Sequence, residues 1–144
     1  MVQFEGNTPI LRVASMEASL AYYVKVLGFE VPWQMGYFAC VKRGRSSIFL
    51  SVGDQGHFGT WIWVGVSDAE ALYEEYLKSG AKIRHKPTNY QWAYEMQVED
   101  PDGNVLRMAS EPKDAEPMGE WLDMDGVVWA PTAEGGWRRR GQFS

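Results

Sequence analysis

A chain of 144 residues is long enough for one well-buried domain and too short for two independent ones. Its formal net charge of -5 at pH 7 argues against nucleic-acid binding, which depends on Lys and Arg neutralising phosphates, and is compatible with a cationic ligand. The single Cys40 excludes an internal disulfide. No apolar stretch approaches the roughly 20 residues that cross a bilayer, and the N-terminus lacks a signal-peptide pattern. We therefore expect a cytoplasmic protein with no membrane partner.

Two segments of the chain, residues 13–30 and 66–83, share one pattern at an offset of 52 to 53 residues. Each segment predicts a helix that is entered from a strand and closed by a glycine, Gly28 in the first copy and Gly80 in the second. In the first helix, apolar residues at the i, i+3, i+4, i+7 spacing predict the buried stripe. These residues are Leu20, Tyr23, Val24 and Leu27.

Strand-like runs surround each helix. The leading runs are ILRV at 10–13 and TWIWVGV at 60–66. The runs FEVPW, YFACVKR and SSIFLSV follow the first helix, and AKIRH, WAYEMQVE and NVLRMAS follow the second. The chain therefore predicts a βαβββ unit that occurs twice, over about residues 8–53 and 60–110. We expect an α+β fold in which the two repeats form a curved mixed sheet.

The chain continues beyond the second repeat with a segment rich in aromatic residues. It contains Trp121, Trp129 and Trp137. Large aromatic side chains at this density usually pack on another part of a protein. We therefore predict a domain over residues 1–111 and an ordered C-terminal extension over residues 112–144, which packs on the domain or dimer and lies over the sheet edge or groove.

Alternation along a strand places neighbouring side chains on opposite faces of a sheet. In the fifth predicted strand, the apolar alternation leaves Trp61 and Trp63 on the face away from the helices, which we call the open face. In the fourth predicted strand, it leaves Phe49 and Ser51 on that face. Aromatic rings are therefore expected on the open face of both repeats.

The segment EDPDGNVLRM, residues 99–108, predicts a tight hairpin. A proline suits the second position of a type I turn, and Gly103 suits the left-handed position that follows it. This three-residue loop pairs Gln97 with Arg107. The register puts Glu95, Gln97 and Arg107 together on the open face.

The paired βαβββ units and the D-P-D-G-N hairpin resemble the vicinal oxygen chelate fold, over residues 1 to about 110. Proteins of this fold include glyoxalase I, extradiol dioxygenases, fosfomycin-modifying enzymes and the metal-free bleomycin resistance proteins. In the metal enzymes, His or Glu ligands come from four strands, and the corresponding residues here are Thr8, Phe49, Trp61 and Arg107. A hydroxyl, two aromatic rings and a permanent cation are poor ligands for a divalent metal, so we expect no metal and no other cofactor.

The opening MVQF, the I-F-L-S and W-I-W-V strands, and W-x-x-E before D-P-D-G-N are similar to the bleomycin resistance proteins in particular. That similarity implies a homodimer that exchanges its N-terminal strand about a hinge at Pro9. It also implies that one flat, cationic drug molecule binds in each of two interface grooves, without chemistry. The predicted ligand-binding residues are Trp33, Phe38, Phe49, Ser51, Trp61, Trp63, Trp92, Glu95 and Arg107.

Two other functions stay open at this point. A divergent glyoxalase-like or dioxygenase-like enzyme would hold a stoichiometric metal. A binding module for an acidic aromatic metabolite would use an unpaired Arg107, because guanidinium groups bind carboxylates. If Arg107 instead pairs with Glu95 across the hairpin, the ion pair closes the former metal position. Trp61 and Trp63 either bind ligand or fill space between the half-sheets.

Overall fold

The computed structural model describes residues 1–141, which form two βαβββ halves followed by three short strands. The first half contains β1 (Ile10–Arg12), α1 (Met16–Ala21), β2 (Glu30–Gln34), β3 (Phe38–Arg43) and β4 (Ser46–Ser51). The second half contains β5 (Trp61–Gly65), α2 (Ala69–Ser79), β6 (Lys82–Asn89), β7 (Tyr94–Glu99) and β8 (Val105–Ser110). The strands β9 (Trp121–Leu122), β10 (Val128–Pro131) and β11 (Trp137–Arg139) form the C-terminal arm. The predicted α+β fold with two repeats and an aromatic-rich arm is confirmed, and residues 142–144 of the predicted extension lie outside the described residues.

Each helix begins at a side chain that accepts a hydrogen bond from the first turn. Ser15 Oγ accepts from the Ala18 N–H at 3.1 Å, and Asp68 Oδ1 accepts from the Ala71 N–H at 2.9 Å. Gly80 follows α2 with a φ of 83°, the left-handed conformation predicted for the residue that closes this helix. Within residues 1–141, no helix is long and apolar enough to cross a bilayer.

The buried stripe of the first helix differs from the prediction at one residue. Tyr23 and Leu27 are fully buried, as predicted, but Val24 is 40% exposed. The cause is a π-helical turn over Tyr22–Val26, in which the Leu27 N–H donates to the Tyr22 carbonyl at 3.0 Å. This i to i+5 bond widens the turn, so the 3.6-residue period that assigned Val24 to the core no longer applies.

Each half forms a four-stranded mixed sheet. The strand orders are β1-β4-β3-β2 and β5-β8-β7-β6, and the first pair in each sheet is parallel. The hairpin between β7 and β8 has the predicted register, with Gln97 opposite Arg107. Gly103 has a φ of 77°, and the Asp100 N–H donates to the Asn104 carbonyl at 2.9 Å, as the three-residue loop requires.

One apolar core joins the two halves. Both sheets contribute their helix-side residues to it, including Leu50 and Ile48 from β4 and Leu106 and Met108 from β8. Since both sheets turn these faces into a shared core, their open faces point away from that core. The open faces are therefore available for ligands, for the arm or for another chain.

The β7–β8 hairpin also fixes the second half to the first through buried polar groups. Tyr23 Oη donates to Asp100 Oδ2 at 3.0 Å, and the Asn104 side-chain amide donates to the Arg12 carbonyl at 3.0 Å. Asp100 is 1% exposed, and burial raises the pKa of its carboxyl group. The D-P-D-G-N motif thus has a structural role in holding the two repeats together.

The C-terminal arm lies over the open face of the second half. The Gln97 side-chain amide donates to the Leu122 carbonyl at 2.9 Å, and Tyr90 Oη donates to the Glu120 carbonyl at 2.6 Å. Arg84 donates to the carbonyls of Leu122 and Asp123. Side chains of the second sheet therefore hold the main chain of the arm in place.

Candidate functional site

The first half carries an aromatic cluster on its open face. Trp33 stacks on Phe38 with ring centres 5.9 Å apart and planes 16° from parallel. Phe49 lies 5.4 Å from each of these two rings. Ser51 is paired with Phe38 across the β3–β4 ladder and is buried. The structure therefore brings together the four predicted ligand-binding residues of this half, and Trp33, 40% exposed, forms the accessible edge of the cluster.

The second half is organised around Arg107. Its Nε donates to Glu95 Oε2 at 2.9 Å and its Nη2 donates to Glu95 Oε1 at 2.8 Å. The guanidinium carbon lies 4.9 Å from the Trp63 ring centre and 4.8 Å from the Trp121 ring centre. The cation at the former metal position is thus paired with a carboxylate and packed against two indoles.

Trp92 lies in the loop between β6 and β7 and is tied to the same carboxylate. Its indole N–H donates to Glu95 Oε1. Its ring stacks on Tyr90 with centres 4.7 Å apart and planes 1° from parallel. Because Glu95 accepts hydrogen bonds from both Arg107 and Trp92, one buried carboxylate orients the two side chains.

Trp61 is half-buried, and the arm covers part of its ring. The Arg84 guanidinium carbon lies 5.1 Å from its ring centre, and Trp121 lies 6.1 Å from it. Sequence reasoning assigned no ligand role to Arg84, Tyr90 or Trp121. Arg84 falls at a register shift of the β6–β7 ladder, between Ile83 and His85, which no alternation pattern reveals.

The four positions that would hold a metal in the fold's metal enzymes do not form a metal site here. Phe49 belongs to the first-half cluster, Trp61 and Arg107 belong to the second half, and Thr8 precedes β1. Their side chains offer no set of ligands for a divalent cation. Across residues 1–141, no group of three or more His, Cys, Asp or Glu side chains is placed to hold one.

Two cavities adjoin these residues. The larger, about 810 Å³, lies between the β3–β4 hairpin and the β5–α2 connection, and of the predicted ligand-binding residues only Trp63 lines it. The smaller, about 240 Å³, is lined by Trp92, Trp121, Trp129 and Trp137. The smaller cavity adjoins the residues around Arg107, because its wall residue Trp92 donates to Glu95 and its wall residue Trp121 packs against Arg107.

Comparison with known proteins identifies the family. The model of the Glyoxalase/Bleomycin resistance protein/Dioxygenase superfamily matches residues 6–108. The chain belongs to this superfamily. A search of curated protein sequences found no match.

Three solved structures illustrate the similarity in fold. The bleomycin-binding protein from bleomycin-producing Streptomyces verticillus, complexed with copper(II)-bleomycin, is 27% identical with a TM-score of 0.67, over 78% of this chain and 100% of that one. A glyoxalase/bleomycin resistance protein/dioxygenase from Nocardioides is 19% identical with a TM-score of 0.62, over 81% and 90% of the two chains. TioX from Micromonospora sp. ML1 is 17% identical with a TM-score of 0.62, over 74% and 99%.

Proposed function

We propose that the protein is a metal-independent, cytoplasmic binder that sequesters a flat, cationic aromatic molecule, of the bleomycin type, in a groove between two copies of the chain, and so confers antibiotic resistance. The observation on which this depends is the exposure of three tryptophans on and beside the open faces. Trp33 is 40% exposed, Trp63 is 51% exposed and Trp92 is 43% exposed. Indoles left accessible in this way supply stacking and cation–π contacts to a flat cation.

The dimer is part of the proposal because one chain does not close a groove. The open faces of its two half-sheets point away from the shared core, so its two aromatic clusters do not face each other. A twofold pairing would set the first-half cluster of one copy against the second half of the other. The residues before Pro9 support such a pairing, since Phe4 is 98% exposed and makes no strand pair with any part of residues 1–141 of its own chain.

The paired state of Arg107 disfavours the acidic-metabolite alternative. Glu95 already accepts from two of its nitrogens, and an acidic ligand would have to displace a carboxylate that is 1% exposed. The pair also cancels the charge that would repel a cationic drug. The enzyme alternative lacks support because the four candidate positions fail the ligand test described above.

The test is a titration of intrinsic tryptophan fluorescence with metal-free and copper-loaded bleomycin, on wild type, Trp63→Ala and Trp92→Ala. We expect saturable quenching near one drug per subunit, with weaker binding in both variants. Leu77→Ala is the matched control, because Leu77 is 52% exposed but lies on α2. Absence of saturable binding at high micromolar drug would contradict the proposal, and elemental analysis for a tightly held metal would test the enzyme alternative.

Sedimentation velocity tests the dimer directly. The wild type is expected to sediment as a dimer, and Phe4→Asp is expected to shift it toward monomer, because burying a charge at the partner surface is unfavourable. A wild type that stays monomeric at the concentrations that bind drug would contradict the interface groove.

A further inference from the structure

The smaller cavity is an aromatic cage, defined by Trp92, Trp121, Trp129 and Trp137. Trp92 comes from the β6–β7 loop, and the other three come one each from the three strands of the arm. The match to the superfamily ends at residue 108, so three of the four walls lie beyond it. The cage is therefore largely an addition to the fold, and it shares only Trp92 with the proposed drug groove.

The orientation of the rings suits a rounded group better than a flat one. The planes of Trp92 and Trp121 meet at 77°, and those of Trp92 and Trp137 meet at 49°. A flat ring gains most from walls that are parallel to it, and these walls are not parallel to each other. A compact, roughly spherical group of about the cavity's 240 Å³ or less would contact several indoles at once.

The hydrogen bonds around the cage favour a cation. The Trp92 indole N–H donates to Glu95, and the Trp129 indole N–H donates to Asp123 Oδ2 at 2.9 Å. Neither N–H is left to bind an acceptor on a ligand, so both residues offer the cavity their π surface. Asp123 is charged at neutral pH, and the Trp129 N–H and backbone N–H groups lower its pKa, so it stays charged further into the acidic range.

The positive groups near the cage do not cancel this preference. Arg107 packs against Trp121, but Glu95 neutralises its charge. This contact also shows that the Trp121 ring already has a cation packed against it. Arg139 is opposite Trp129 in the β10–β11 ladder and is exposed, so solvent screens its charge.

We propose that the aromatic cage binds a small molecule that carries an alkylated ammonium group. Alkyl substituents make the cation bulky and weakly hydrated, so removing its hydration shell costs little free energy. Contacts with several indoles then replace that shell. The inference goes beyond the proposed drug groove, because it requires neither a second copy of the chain nor the first-half cluster.

The experiment compares choline with 3,3-dimethyl-1-butanol, which has the same shape without the charge, at constant ionic strength set with sodium chloride. The indole N–H signals of the seven tryptophans report binding in ¹⁵N spectra. We expect choline to shift the signals of Trp92, Trp129 and Trp137 saturably, and to bind about threefold to thirtyfold more tightly than the neutral alcohol. Equal affinity for the two compounds, or no saturable shift, would overturn the proposal.

Two tryptophan variants locate the site. Trp137→Leu is expected to weaken choline binding by at least about fivefold, whereas the matched variant Trp33→Leu, in the other half, is expected to leave it unchanged. An equal loss in both variants would refute the assignment. If Trp137→Leu does not fold, the discrimination between choline and the neutral alcohol by the wild type decides the question alone. Choline binding without bleomycin binding would refute the drug groove and leave the cage intact.

Discussion

The ion pair between Glu95 and Arg107 gives the sharpest prediction about the second half. Glu95 is 1% exposed and the Arg107 side chain 26% exposed, so removing either partner leaves a desolvated charge behind. Breaking a buried pair costs about 3 to 5 kcal/mol, and we take the lower end because Arg107 is partly accessible. At a urea m-value of about 2 kcal/mol/M, Arg107→Met should lower the unfolding midpoint by about 1.5 M.

A double-mutant cycle isolates the pair itself. Glu95→Gln keeps an acceptor for the Trp92 N–H, and the double variant Glu95→Gln/Arg107→Met buries no unpaired charge. We therefore expect the double variant to be more stable than the sum of the two single losses predicts, with a coupling of about 2 kcal/mol. Urea denaturation followed by circular dichroism measures all four proteins.

An exposed ion pair between the two halves supplies a matched control for this cycle. Arg43 and Glu75 also form two hydrogen bonds, at 2.7 and 3.0 Å, but their side chains are 38% and 47% exposed. Arg43→Met and Glu75→Gln should couple by less than about 1 kcal/mol, because solvent screens an exposed pair. Equal coupling in the two cycles, or additivity within about 0.5 kcal/mol at Glu95 and Arg107, would refute the argument from burial.

Three further predictions concern other parts of the molecule. Burial raises the pKa of Asp100, so protonation of this carboxyl group stabilises the folded protein relative to the unfolded chain. This contribution is complete below the ordinary pKa of about 4 and is lost as the pH rises through the raised folded pKa. Measured by urea denaturation, the loss of stability in Asp100→Asn relative to wild type should therefore shrink across that pH window. Burial also raises the pKa of the Cys40 thiol, which is 5% exposed, so it should react with a disulfide reagent only slowly until the protein is unfolded, and fast labelling of the native state would contradict this. Arg84→Met should loosen the arm and speed proteolysis after residue 111, whereas Arg45→Met, on the exposed β3–β4 turn, should not.

The repeat and the open face could be predicted because both depend on local patterns. A period of two assigned Trp61 and Trp63 to one face, and turn chemistry fixed Gln97 opposite Arg107. Val24 was assigned wrongly because a π-helical turn is set by packing and leaves no mark in an apolar pattern. The register shift beside Arg84 was not predicted for a similar reason, because a β-bulge changes the pairing of two strands without changing their amino-acid composition.

The candidate site was harder to predict, because half of it depends on a contact between distant parts of the chain. The sequence indicated that Trp121 packs on something, but not that it covers Arg107 and Trp61. Arg84 and Gln97 hold the arm by donating to its main-chain carbonyls. Every residue has a main-chain carbonyl, so the sequence does not indicate which carbonyls these side chains contact. The division between a domain at residues 1–111 and an extension from residue 112 remains a prediction for this reason, to be tested by truncation.

The arm and the arginine at the former metal position depend on each other physically. On an open sheet face, water would hydrate the part of a guanidinium group that its carboxylate partner does not cover. Here Glu95 accepts from its edge while Trp63 and Trp121 pack against it, and Trp121 belongs to the arm. Removing the arm would therefore expose both the cation and Trp61, and the ion pair should then contribute less to stability because solvent would screen it. The coupling between Glu95 and Arg107 is thus expected to fall in a chain that ends at residue 111, and an unchanged coupling there would show that the two features are independent.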